Sequence, residues 1–261
     1  MDNIRGKLMR YSPCGLLASA TCGGGRHVIR KNRCDYSGHS GRLLVVRPLQ
    51  PMHSDLLKSI GRSHAPCRHF GDVCTTMRWR PEAGHVPRGF CGATGGLDEV
   101  RLILVTAEPG DPLRGEAHSG DSLTSAISFS FGCLTDPATP FHRNVRLILD
   151  LCFPGESLES QFRKTWITNA VLCSAPVESG PVPTQVERTC VGEYLREQIS
   201  LMPWAMVAAL GGKAQRRLQA AGVGAFPALH PSCRESTQAK RASWEQLAAR
   251  LREWPNYSSG R

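Results

Sequence analysis

No apolar run in the 261 residues approaches the roughly 20 that span a bilayer, so no membrane helix is expected. The nearest approach to a targeting segment is residues 15–20, GLLASA, behind a few basic residues. It is too short for a convincing signal peptide, and a cytoplasmic protein is expected, nucleoid-associated if the source is bacterial. Internal repeats are missing. So is an even cysteine complement: the chain has eleven, with no secretory signal ahead of them. An odd number in that setting argues against a full disulfide framework and for metal or cluster ligation of a subset.

Acidic residues are scarce at the start of the chain. Residues 1–50 carry nine Lys/Arg against Asp2 and Asp35, a charge of +7, which leaves +3 of the total +10 for everything after. The net charge invites a nucleic-acid reading but says little about the main domain. Residues 1–51 are read as a basic, poorly ordered extension in which only residues 43–46, LLVV, look strand-like. Residues 52–261 form the domain, and at 41% hydrophobic the chain can bury one sizeable core.

That domain is organised around residues 101–112, RLILVTAEPGDP. An apolar run bounded by turn residues reads as a buried strand of a parallel sheet. Ligands of such sheets bind beyond the carboxyl ends of the strands. Glu108 stands where a catalytic group would stand, with Pro109 and Gly110 shaping the loop. Residues 166–172, 204–210 and 226–229 are three further strands. The predicted fold is therefore a three-layer α/β/α sandwich around a short, mainly parallel four-stranded sheet.

Between the strands, residues 111–140 read as a long loop rich in Gly, Ser and Asp, and residues 145–151 as a buried helix. Cys190 heads a helix, CVGEYLREQISLM. Residues 243–254 form an amphipathic helix in which Ser243 and Gln246 have capping-box spacing. Asn169 is the one polar residue near the end of its strand. Its amide either bonds backbone inside the core or reads a planar donor–acceptor edge. Cys67 and Cys74 are spaced for free buried thiols or for a shared metal, somewhat wider than usual; Cys91 looks like packing.

Taken in order, TAEPG, PFHRNVRLILD, TNAVLC, CVGEYLREQISL with VAALGG, and HPS resemble the motif series of uracil-DNA glycosylases. The closest branch is the iron–sulfur-containing one often called family four, and the resemblance covers about residues 66–234. It implies a monomeric, monofunctional hydrolase that flips uracil, or a related deaminated base, out of DNA and excises it to leave an abasic site. Phe141 matches the aromatic that stacks on the base, Asn169 the amide that reads the pyrimidine edge, and His230 the donor to the base carbonyl oxygen. Ala107, Glu108, Pro109 and Gly110 match the first motif, but its acid is displaced by one residue: GEAPG has it second, and here Ala107 is second and Glu108 third. Glu108 is expected to position or activate water and to stabilise the sugar cation.

The resemblance assigns Ser232 and Arg234 to DNA phosphate contacts, with Lys240 and Arg241 nearby. Cys173 and Cys190 match the second pair of cluster ligands, and Cys67 and Cys74 complete four thiolates for a [4Fe–4S] cluster, with zinc as the alternative. Two rivals remain open. One is a catalytically weak or inactive iron–sulfur or zinc protein that binds damaged or single-stranded DNA. The other is a zinc-stabilised interaction module.

Overall fold

The computed structural model describes residues 52–118 and 120–255. The basic extension and its LLVV segment lie outside the described residues. Five strands form one sheet, in the order β1-β3-β2-β4-β5. These are β1 (Cys91–Gly92), β2 (Leu102–Thr106), β3 (Thr165–Asn169), β4 (Met206–Leu210) and β5 (Phe226–Ala228). The four predicted strands are all present and run parallel. The correction is β1, a two-residue strand paired antiparallel to β3 through Cys91↔Ile167 and Gly92↔Trp166.

The central strands are buried on both faces, β2 and β4 with largely apolar sequences and β3 with Thr165, Thr168 and Asn169 buried beside Trp166 and Ile167. Alternation along each strand then separates two cores. Ile103, Val105, Trp166, Val207 and Ala209 face one layer, with side chains of α1 (Ser54–Gly61) and the helical segment before β4. Leu102, Leu104, Ile167, Met206 and Ala208 face the other, with α2 (Ser122–Thr135), α3 (Pro140–Cys152), α4 (Leu158–Lys164) and α8 (Thr237–Glu253). The sandwich is three-layered.

Three local readings are corrected. The supposed loop at 111–140 contains α2, whose N-terminus is capped by Asp121 accepting from the Thr124 N–H at 3.2 Å. Cys190 does not head its helix but ends α5 (Thr184–Cys190), which runs on through a π turn at Val191–Leu195 into α6 (Arg196–Ser200). The last helix begins six residues before Ser243 and is capped by Ser236. The Ser243 hydroxyl instead accepts the Leu229 N–H at 2.9 Å, tying α8 to the end of β5.

The chain passes from β2 to β3 on one side and returns to β4 on the other, so the order reverses between β2 and β4. A crevice opens at the carboxyl ends of strands where connections diverge in this way. Thr106, Ala107 and Glu108 leave β2 there, and Gly211 and α7 (Gly212–Ala220) leave β4.

Candidate active site

A cavity of about 780 Å³ occupies this crevice. Ala107, Glu108, Pro109, Gly110, Phe141, Asn169, His230 and Ser232 all line it. Residues from four separate stretches thus meet in one place. Arg234 is exposed and does not line the cavity.

Asn169 is the last residue of β3 and is buried to 3% exposure. Its Nδ2 donates to the Arg88 carbonyl at 2.8 Å, and its Oδ1 accepts from the Thr106 hydroxyl. A carbonyl can only accept, so the first bond settles which way the amide points. Each end of the amide is used once. One N–H and one lone pair remain for a ligand. Gly89 leaves room for this arrangement: it has φ +85°, and a Cβ there would lie 3.0 Å from Asn169 Nδ2.

His230 follows β5. Its Nδ1 accepts the Ser232 N–H at 3.1 Å, so the neutral ring carries its proton on Nε2. Burial lowers its pKa below the usual histidine range, against a smaller opposing effect of Glu108. At neutral pH the ring is therefore an uncharged donor. Gly211, at φ +93°, backs it; a Cβ there would come within 2.9 Å of the His230 Cβ. Phe141, in the first turn of α3, lies with its ring centroid 5.7 Å from that of His230 at 33°. Phe129 of α2 also lines the cavity.

Glu108 is more constrained than its sequence suggests. Its Oε1 accepts from Lys213 Nζ at 3.1 Å and its Oε2 pairs with Arg217 Nη1. Arg217 also binds Glu187 through Nε at 2.6 Å, and Lys213 donates to the Ser179 and Gly180 carbonyls at 2.8 and 2.7 Å. Neither oxygen of the carboxylate is free of a cation. The sequence reading missed both partners, although Lys213 and Arg217 are four apart and so share one face of α7.

Arg88 was missed too, and a lone arginine gives no local signal. Its buried guanidinium donates to Gly84 O at 3.1 Å, to Ser174 Oγ at 2.9 Å and to Gly110 O, while Nε pairs with Glu116 at 3.1 Å. It clamps the Glu108–Gly110 loop and, through its own carbonyl, the Asn169 amide. Asn144, one turn beyond Phe141, donates to the Pro231 carbonyl at 2.7 Å and ties α3 to the loop after His230.

The four predicted thiols come together away from the cavity. Cys67, Cys74, Cys173 and Cys190 share the core cluster on the α1 side of the sheet, all buried and none in a disulfide. Burial is the main reason the Cys173 and Cys190 thiols are pushed up, Cys190 to about 12, with neighbouring thiols adding to the effect. Cys67 is lowered and Cys74 raised chiefly because the two hydrogen-bond each other. The Leu172 N–H donates to Cys190 Sγ at 3.3 Å. Among the described residues, no three His, Cys, Asp or Glu side chains close tightly enough to hold a single metal ion.

Among the described residues no helix is long and apolar enough to cross a membrane. No curated protein matches the chain. The model of the uracil DNA glycosylase superfamily does match, over residues 94–251, which takes in β2 to most of α8 and every residue lining the cavity except Arg88, Gly89 and Cys91. With more than half of its length matched and the site so placed, the chain belongs to the uracil DNA glycosylase superfamily.

Proposed function

We propose that the cavity receives a uracil turned out of DNA and hydrolyses its N-glycosidic bond, leaving an abasic site and an unbroken strand. The observation that carries this reading is the half-used amide of Asn169 beside the neutral Nε2–H of His230 in one cavity. A target base is beyond reach in the stack and must be extruded. Phe141 then offers a π-face, worth about 1–3 kcal/mol per stacked base. Asn169 pairs its free N–H and lone pair with a carbonyl and the adjoining ring N–H of the base. As the bond to the sugar breaks, negative charge moves onto the base, and His230 donates to the oxygen that gathers it.

Glu108 completes the reading as a fixed acceptor. Held by Lys213 and Arg217, it has lone pairs left to orient a water, and its charge would oppose the positive charge that develops on the sugar. Ser232 and Lys240 at the cavity, with Arg234 beyond it, supply phosphate contacts that position the strand, and the protein acts as a monomer. The substrate class is DNA containing uracil or another deaminated base.

The four thiols are proposed to hold a [4Fe–4S] cluster. Four cysteines from three stretches meet without forming disulfides, matching the ligand count of such a cluster. Zinc is the alternative occupant of the same four thiolates. The cluster would be structural, joining the segment around Cys67 to the helix around Cys190.

One observation favours a second reading, a protein that binds damaged or single-stranded DNA without turnover: both oxygens of Glu108 are taken by cations. A labelled strand carrying one uracil, incubated with excess protein and then alkali, decides between them. Breakage at the uracil, absent with a cytosine control and weakened in Asn169→Ala, is the expected result. Binding without breakage by iron-loaded protein would favour the second reading.

A further inference from the structure

His142 lines the same cavity and has no part in the reaction described so far. It is the third residue of α3, next to Phe141. Thr139 caps that helix and Pro140 opens it, which fixes the first turn. The Thr139 hydroxyl accepts the His142 N–H at 3.3 Å and lies 2.7 Å from His142 Nδ1. Among the described residues Nδ1 is the one acceptor that the hydroxyl proton meets, so the neutral ring carries its own proton on Nε2. Burial lowers the pKa of this ring below the usual histidine range, against a smaller opposing effect of Glu116. Among the described residues nothing bonds Nε2, and it is not sealed in the core. It is a free donor on a side chain that lines the cavity.

Uracil leaves this donor idle. Asn169 takes one carbonyl and the ring N–H, His230 takes the other carbonyl, and the remaining ring nitrogen carries the sugar. A purine made by deamination offers Asn169 the same carbonyl and adjoining ring N–H. Its N3 stands beside the glycosidic bond, where the second carbonyl of uracil stood. It adds N7, an acceptor that no pyrimidine has. The cavity has room for the second ring: about 780 Å³ is well inside the range of about 300–1,000 Å³ that encloses a drug-sized ligand. Phe129 and Cys133, one turn apart on α2, give it an apolar wall. The His142 ring stands at 83° to that of Phe141 with centroids 5.2 Å apart, so it adjoins whatever stacks there.

We propose that His142 is a second base-reading residue, donating from Nε2 to N7 of a deaminated purine, and that hypoxanthine is a substrate beside uracil. The inference rests on the glycosylase reading above. In the step it assists, the N9–C1′ bond breaks with its electron pair going to the base. The water oriented by Glu108 supplies the hydroxyl of the abasic site, and its other proton ends on the departing base. Negative charge on that base spreads to N7 and N3, where His142 and His230 donate.

The test is single-turnover excision from duplexes carrying one uracil, one hypoxanthine or one 7-deazahypoxanthine, with the parent, His142→Ala and His142→Gln proteins. The parent should excise uracil and hypoxanthine. His142→Ala should lower the hypoxanthine to uracil rate ratio by about tenfold, the effect of one lost hydrogen bond. A ratio taken within one preparation does not change when part of the sample is unfolded. His142→Gln keeps an N–H donor and should keep most of the ratio. On 7-deazahypoxanthine, which lacks the N7 acceptor, His142→Ala should lose no more than it loses on uracil. A parent that excises uracil but not hypoxanthine, or a His142→Ala loss as large on uracil or 7-deazahypoxanthine as on hypoxanthine, overturns this proposal alone. A parent that excises hypoxanthine but not uracil keeps it and corrects the uracil reading, and one that excises neither refutes both.

Discussion

The cavity and the cysteine cluster answer the same problem, polar groups taken out of water, in opposite ways. Around the cavity each key side chain is held by another part of the chain: Asn169 by Arg88 and Thr106, His230 by Ser232, Glu108 by Lys213 and Arg217. The pocket is organised by protein alone. On the α1 side of the sheet, four buried thiols meet one another, the Leu172 and His69 N–H groups and the Tyr194 hydroxyl. Burial disfavours ionising Cys173 and Cys190, and a cationic centre bound among them would reverse that. The pocket is therefore complete as the chain folds, whereas the thiol cluster is where the proposed [4Fe–4S] group would sit.

The largest effect is expected where that contrast is sharpest. Cys190→Ala should abolish the visible absorbance and iron content of the purified protein and lower its thermal midpoint, because metal-binding free energy is also folding free energy. Full iron content in Cys190→Ala would remove this residue from the ligand set.

Next comes the ion pair behind the pocket. Glu108→Ala strands Arg217, whose side chain is 3% exposed, with only Glu187 to meet it. Removing one partner of a buried pair costs about 3–5 kcal/mol, so the urea midpoint should fall markedly. Glu108→Ala combined with Arg217→Met should recover much of the loss without restoring excision. A double variant no more stable than the single one would show that the pair does not carry the stability assigned to it.

The smallest effect is a pH dependence that belongs to neither site. His64 is buried beside Trp79 and Phe90, and burial lowers its pKa from 6.5 to about 4. Between those values the unfolded chain binds a proton that the folded one refuses, so stability is present above about pH 6.5 and lost as the pH falls towards 4. The loss amounts to at most about 3 kcal/mol. Urea midpoints measured from pH 7 to pH 4 should fall less steeply in His64→Asn. Parallel curves for the two proteins would place the proton uptake elsewhere.

The parts legible in the sequence are those whose cause is local. The parallel strands β2 and β4 are largely apolar runs ended by turn residues, and the motif order drew Asn169, Phe141 and His230 into one cavity. The short strand at Cys91–Gly92 was invisible because only its pairing with Ile167 and Trp166 makes it a strand. Helix α2 was hidden for a related reason. Its sequence, SLTSAISFSFGCLT, is poor in strong helix formers, and the burial of Ala126, Phe131 and Leu134 makes it a helix. Cys190 was placed at a helix start because the apolar periodicity begins there, although Pro183 already marks the true entry. The role of Arg88 was beyond reach. Its partners Ser174 and Asn169 are more than 80 residues away in the chain.

The most direct test of the account is His230→Ala, assayed in two ways. Single-turnover excision of uracil from DNA measures the chemical step, and affinity for duplex carrying an abasic site measures binding. If His230 donates to the departing base, excision should slow by about 100-fold or more while the affinity changes only a few-fold. Excision at the parent rate, or affinity lost in step with excision, would contradict it.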